Sequence, residues 1–191
     1  DIGTGTGLIA LMIAQRAKEA FIDAIDIDAD ACLQASENVN RSFFSQQILI
    51  HNAPFLSFAK TITSPYDLIV SNPPYFTDSL KSPEKKRNLA RHNDTLSLSE
   101  LINFSSPLLS SHGRIALILP YNEMDNLLDC AILNGLHCVR QTNVIPTAGG
   151  QPKRLLIELS HQNIHFIPEN LTLELARNQR TQAYQLLTQD F

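Results

Sequence analysis

The chain is poor in the residues that build cross-links and metal cages. Its 191 residues hold three cysteines, Cys32, Cys130 and Cys138, with no Cys-x-x-Cys pair among them. An odd number of unpaired thiols argues against a disulfide framework and for a reducing compartment, so a cytoplasmic location is expected. The six histidines are scattered singly, no spacing suits a metal cage, and no metal is expected. No apolar run approaches the ~18 residues of a membrane span and nothing resembles a signal peptide, so no membrane partner is expected. Internal repeats are lacking, and no stretch is long enough for a second domain. Residues 1–191 read as one domain, with a monomer favoured.

Two further absences concern the ends. There is no initiator Met, and the chain opens on Asp1, the kind of acidic residue that normally closes the strand before a glycine turn. A strand feeding that turn is expected to lie outside the sequence. The last residues, Thr188-Gln-Asp-Phe191, stop without a cap or a breaker. The expectation is a fragment cut at both ends and lacking most of its first strand.

What is present alternates between strand and helix patterns over an ordinary composition of 43% hydrophobic and 18% charged residues. Helices are predicted over 8–18, 29–40 (with Asp28 as N-cap), 98–109 and 123–133, and a short one near 183–188. Strands are predicted over 20–26, 47–51, 66–71, 113–119, 136–144 and 154–159. The apolar run 66–71 has the character of a parallel strand buried on both faces. Residues 77–96 read as a polar, basic loop, and the tail from 161 as a strand extension before the last helix. Cys32 and Cys130 fall on helices and Cys138 on a strand. Such alternation predicts an α/β fold with a doubly wound, mostly parallel sheet.

In that architecture ligands sit beyond the carboxyl ends of the strands. Asp1-Ile-Gly-Thr-Gly-Thr-Gly7 carries Gly3, Gly5 and Gly7 in a Gly-x-Gly-x-Gly spacing, distinct from the Gly-x-Gly-x-x-Gly of dinucleotide binders. Asp26 ends the next strand, where an acid hydrogen-bonds ribose hydroxyls, and Asn52 follows the third, placed to meet an adenine edge. The competing roles are a solvated strand-end acid for Asp26 and helix capping for Asp28 and Asp30. Asp1 is placed to position the glycine turn or a cofactor amino group. Thr4 and Thr6 suit hydroxyl donation or turn stabilisation equally. A nucleoside without phosphate is the natural occupant, and S-adenosylmethionine is the common one.

The second segment is Asp67-Leu-Ile-Val-Ser-Asn-Pro-Pro-Tyr75. After a buried strand it presents the Asn72 amide oxygen, the Pro73 carbonyl with no competing N–H in Pro74, and the Tyr75 ring. That set suits a planar amine. Its competing role is a rigid turn.

On these two segments the chain resembles the class I S-adenosylmethionine-dependent methyltransferases. Asn72-Pro-Pro-Tyr75 is similar to the motif of their adenine N6, cytosine N4 and protein glutamine N5 members. The resemblance implies a Rossmann-like sheet with one antiparallel strand near 153–160. It also implies that Asn72 Oδ1 and the Pro73 carbonyl accept the amine hydrogens while Tyr75 stacks on the base. Phe76, Ser82-Pro83, Arg87-Asn-Leu-Ala-Arg-His92, Leu96–Ile102, Gly150-Gln-Pro-Lys-Arg-Leu-Leu156 and Leu186–Phe191 resemble the bacterial tRNA(Val) adenine N6-methyltransferases, which modify the adenine just 3′ of the anticodon. That resemblance implies a tRNA partner.

The net charge of −4 disfavours indiscriminate nucleic-acid binding. Lys81, Lys85, Lys86, Arg87 and Arg91 against Glu84 nevertheless give residues 81–91 a local +4, leaving −8 elsewhere. A basic loop beside an acceptor pocket can hold phosphates while a base is extruded, and these five residues are the candidate RNA contacts. A solvated loop is the plainer reading. Lys153 and Arg154 are candidates for a second contact, and His92 reads as a packing residue. The rivals are a protein glutamine N5-methyltransferase using the same Asn72 and Pro73, and a non-catalytic cofactor- or RNA-binding module. A DNA adenine methyltransferase is disfavoured because no insertion is large enough for base recognition.

Overall fold

The computed structural model describes residues 1–73 and 96–190. The order along the chain is α1 (Leu8–Arg16), β1 (Ile22–Asp26), α2 (Ala29–Asn40), β2 (Ile48–Asn52), α3 (Phe55–Ala59) and β3 (Tyr66–Ser71). Then come α4 (Leu98–Ser105), β4 (Leu109–Pro120), α5 (Met124–Leu133), β5 (His137–Thr147), β6 (Arg154–Ser160), β7 (Glu169–Ala176), β8 (Gln179–Arg180) and α6 (Gln182–Thr188). Single 3₁₀ turns occupy Ser106–Leu108 and Tyr121–Glu123.

Parallel strands β1 and β2 pair with each other, and a six-stranded ladder runs β3-β4-β6-β5-β7-β8. Ile2 joins the two by bridging Ile25 and Ser71, both in parallel. Strand β6 opposes β4 and β5, as the resemblance implied, while β3–β4 and β5–β7 are parallel. The two-residue β8 adds a second reversed strand. The tail thus holds a full strand and a hairpin stub where only a strand extension was expected.

Local rules account for most boundaries. The Asp28 side chain accepts from Asp30 and Ala31 N–H, the cap read from the sequence. Ser97 and Glu100 form a reciprocal capping box on α4. These bonds hold the Glu100 carboxyl below its ordinary range. The helix predicted over 98–109 stops at Ser105 and tightens into the 3₁₀ turn, where Pro107 has no N–H to continue the i→i−4 ladder.

The larger core lies on one face of the six-stranded ladder. Ile115, Leu117 and Leu119 of β4 alternate with the same period as Leu155, Ile157 and Leu159 of β6. Leu101 and Ile102 of α4 and Leu127 of α5 belong to the same buried cluster. The opposite face is less covered and mixed, with Leu68, Val70, Ile118 and Leu156 beside Glu158, which bridges Arg114 at 2.6 Å and Arg140 at 3.3 Å. Leu68 is accordingly 45% exposed, so β3 is not covered on both faces as expected. A smaller core joins α1 and α2 to β1 and β2 through Ala10, Ala14, Ile22, Ala24, Val39 and Ile48. Small alanines face this sheet with Leu11 and Ile13 packed beside them, while Leu8 is 64% exposed.

Strand β4 jumps register against β3, with Tyr66 opposite Leu109 and Leu68 opposite Arg114. Gly113 sits in that irregularity, where an added Cβ would lie 2.7 Å from the Tyr66 carbonyl oxygen and 2.9 Å from Ser110 N. Both neighbours are backbone and cannot swing away. Gly113→Ala is expected to destabilise the fold by about 1–3 kcal/mol, the scale of core overpacking. Urea unfolding checks this, and an unchanged midpoint would mean that the backbone there relaxes freely.

Candidate active site

The opening residues are fastened between two strands. Ile2 N–H donates to Val70 O at 2.9 Å and Gly3 N–H to Ile25 O at 2.9 Å. The chain then turns through Gly3, Gly5 and Gly7 at φ 70, 56 and 84°, left-handed values that L side chains resist. A Cβ on Gly3 or Gly5 would meet nothing within 4 Å, so the turn has open space above it. At Gly7 the need is also steric, because an added Cβ would lie 3.3 Å from the Ala35 Cβ of α2.

The acids around the turn are already engaged in shaping it. Thr4, buried, donates its hydroxyl to Asp1 Oδ2 at 2.6 Å, the turn-stabilising role. Asp1 Oδ1 is buried with no hydrogen-bond partner among the described residues. Half-buried Asp26 accepts from Gly5 N–H at 2.8 Å on Oδ2 and from Asp28 N–H at 3.0 Å on Oδ1. A carboxylate has about four acceptor positions, so two remain after these bonds. Asn52 Nδ2 donates to Asp26 O at 3.2 Å and Ile27 O at 3.0 Å, a backbone tie that spacing did not disclose. Thr6 offers its carbonyl, which accepts from Asn38 Nδ2 at 2.9 Å.

Register brings the two sequence segments together. Asp26 is the ladder partner of Asn52, while Ile2 bridges Ile25 on one side and Ser71 on the other. Gly3 follows Ile2, Asp26 follows Ile25 and Asn72 follows Ser71. Asn52, Asp26, Gly3 and Asn72 therefore occupy one rung at the strand carboxyl ends. Ser71 was missed by the sequence reading. It is 2% exposed and its Oγ donates to Ile2 O at 2.7 Å, tying the acceptor segment to the glycine turn. Asn72 itself is exposed and Pro73 half-buried. Pro74, Tyr75, Lys81, Lys85, Lys86, Arg87, Arg91 and His92 lie outside the described residues.

A cavity of about 710 Å³ opens elsewhere, between β1 and β3 on the amino-terminal side of the turn. Phe21, Phe58, Tyr66 and Leu68 line it, whereas Asp26, Asn52 and Asn72 do not. Beside it Asp23 accepts from the Tyr66 hydroxyl at 2.6 Å and meets His51 Nε2 at 2.6 Å, tying β1 and β2 to β3. Burial and the bond to Asp23 push the Tyr66 hydroxyl well above its ordinary value. Burial likewise pushes the thiols of Cys32, Cys130 and Cys138 up, opposite to the shift that makes a thiolate nucleophile. Among the described residues no cluster of three or more His, Cys, Asp or Glu side chains could hold a metal ion. No described helix is long and apolar enough to cross a membrane.

Comparison with known proteins agrees with this fold. Residues 1–119 match the family described as the methyltransferase small domain. The whole chain is 48% identical to the tRNA1(Val) (adenine(37)-N6)-methyltransferase of Parabacteroides distasonis, covering 81% of that protein. It is 40% identical to the enzyme of the same name from Trichodesmium erythraeum, again covering 81% of it. Among solved structures, a predicted O-methyltransferase from Agrobacterium tumefaciens superposes with a TM-score of 0.72 at 18% identity, over 99% of this chain and 86% of that one. A ribosomal protein L11 methylase from Lactobacillus delbrueckii superposes with a TM-score of 0.60 at 16% identity, over 85% of this chain and 68% of that one. At such identities the likeness is one of fold. The chain belongs to the methyltransferase small domain family, together with the relatives named tRNA1(Val) (adenine(37)-N6)-methyltransferases.

Proposed function

We propose that the chain methylates the N6 amine of an adenine in tRNA, next to the anticodon of tRNA(Val), with S-adenosylmethionine as methyl donor, in the cytoplasm. The observation that carries this reading is the shared rung of Gly3, Asp26 and Asn72, which sets a cofactor turn beside an amine-accepting segment. The residues present fit the donor. The orphaned Asp1 Oδ1 suits an amino group, Asp26 keeps acceptor capacity for ribose hydroxyls, and the left-handed glycines leave room for close approach.

When bound, the donor supplies a methyl group on a positively charged sulfur, an electrophile for an amine. The rest is positioning by the protein. The adenine N6 lone pair is delocalised into the ring and is a poor nucleophile. Asn72 Oδ1 and the Pro73 carbonyl, by accepting the two N6 hydrogens, favour pyramidalisation and turn the lone pair out of the ring plane. Tyr75 holds the base by stacking. Alignment of the amine for in-line attack supplies much of the remaining acceleration. Methylation makes the amine acidic, so its proton passes to water and no strong base is needed from the protein.

The assay offers labelled S-adenosylmethionine side by side with tRNA and with a release-factor protein. Label in the tRNA alone is expected. Label on the protein, with tRNA untouched, would transfer the Asn72 mechanism to a glutamine amide. The basic segment gives a second expectation. Replacing Lys85, Lys86 and Arg87 by Ala should raise the apparent KM for tRNA and flatten the salt dependence of binding by about one unit per lost phosphate contact. An unaltered slope would return this segment to a solvated loop.

A further inference from the structure

We infer that the turn between β5 and β6 is a second tRNA contact, with Lys153 and Arg154 each meeting a phosphate close to the methylated base; this rests on the tRNA reading above. The turn lies at the same carboxyl end of the sheet as the active rung. Strand β6 starts there because it runs against its neighbours, and Arg154 is the ladder partner of both Pro120 and Val144. From β3, which Asn72 follows, the path crosses β4 to β6. That is a lateral step of roughly 10 Å, within reach of nucleotides adjoining a base seated at Asn72.

The turn is exposed yet anchored on three sides. Ala148 N–H donates to Glu174 O of β7 at 2.9 Å, and Lys153 N–H to Val144 O at 2.9 Å. Tyr121 N–H, just past β4, donates to Lys153 O at 3.2 Å. Gly149 at φ 77° and the Gly150 N–H donating to Thr147 O at 2.9 Å close the turn tightly. Gln151, Lys153 and Arg154 are all exposed. Arg154 Nη1 donates to Lys153 O at 3.2 Å, which draws the guanidinium back beside the lysine.

Residues 146–156 hold these two positive charges and no negative one, in a chain of net charge −4. Paired cations on a pinned backbone at the mouth of a base-accepting site match the spaced negative charges of an RNA backbone. Because the contact is with phosphate, it positions the RNA and carries no base preference.

The test uses the full chain carrying Lys153→Gln and Arg154→Gln, with Lys153→Gln alone as the milder variant. The double variant should raise the apparent KM for tRNA on the order of tenfold and lower the salt slope of tRNA binding by about two units, the single variant by about one. Affinity for S-adenosylmethionine, kcat and the urea midpoint should stay at wild-type values. A charge-retaining swap, Lys153→Arg with Arg154→Lys, should restore tRNA binding. Wild-type KM and slope in the variants, with the wild-type protein methylating tRNA, would overturn the second contact and leave the function standing. A wild-type protein that neither binds nor methylates tRNA would overturn both.

Discussion

Asn72→Ala is expected to lower kcat by on the order of 10²–10³, the scale seen when one preorganised hydrogen-bonding group is removed from a reacting centre. The amide oxygen matters most when the N6 nitrogen becomes pyramidal, so its loss falls on the rate and not on ground-state binding. Affinity for S-adenosylmethionine should barely change, because Asn72 follows β3 while Asp26, the proposed ribose acid, ends β1. Rapid-quench turnover and calorimetry separate the two. A variant that loses cofactor affinity while keeping kcat would move Asn72 out of the acceptor role. Tyr75 should behave differently. Its replacement by Ala costs about 1–3 kcal/mol of base stacking and affects tRNA binding as well as rate, whereas Tyr75→Phe keeps the plate and should be mild.

Asp26→Ala should weaken S-adenosylmethionine binding by roughly 1.5–3 kcal/mol, the worth of hydrogen bonds to a charged group. The structure adds a second route to that loss, since the same carboxylate holds Gly5 N–H at 2.8 Å and Asp28 N–H at 3.0 Å. Removing it therefore frees the glycine turn in addition to removing the proposed ribose contact. Calorimetry on the folded variant reads the combined effect, and wild-type affinity would reduce Asp26 to a strand-end acid that only shapes the turn.

Where one local rule governed an element, its boundaries were legible in the sequence. Helix α2 was, because Asp28 caps it and Cys32, Ala35 and Val39 recur at helical spacing on its buried side. The run 66–71 matched β3 residue for residue. Helix α3 was not legible, since its five residues after Pro54 are too short to show a period. Strand β4 begins at Leu109, well before the predicted 113, because its polar opening residues join the ladder only through the irregularity that Gly113 permits. In the tail, Pro168 and the alternation of Leu171, Leu173 and Leu175 with polar residues do mark β7, a strand signal that the reading of a mere strand extension passed over.

The candidate site divides along the same line. Glycines with positive φ and an acid at a strand end are backbone requirements and leave a mark in the sequence. The Ser71 hydroxyl on Ile2 O and the Asn52 amide on two carbonyls depend on which strands become neighbours, information held in the sheet order and not in any window of residues. Thr4 illustrates the middle case: hydroxyl donation was legible, but its acceptor, Asp1 Oδ2, required the turn to close.

The most direct test of the central claim is the chemical identity of the product. tRNA treated with the protein and S-adenosylmethionine would be digested to nucleosides and resolved by mass spectrometry against standards. The acceptor role proposed for Asn72 predicts N6-methyladenosine as the sole methylated product, lost in Asn72→Ala at unchanged cofactor binding. Methyl on a ribose oxygen or a ring carbon, with no N6-methyladenosine, would contradict it.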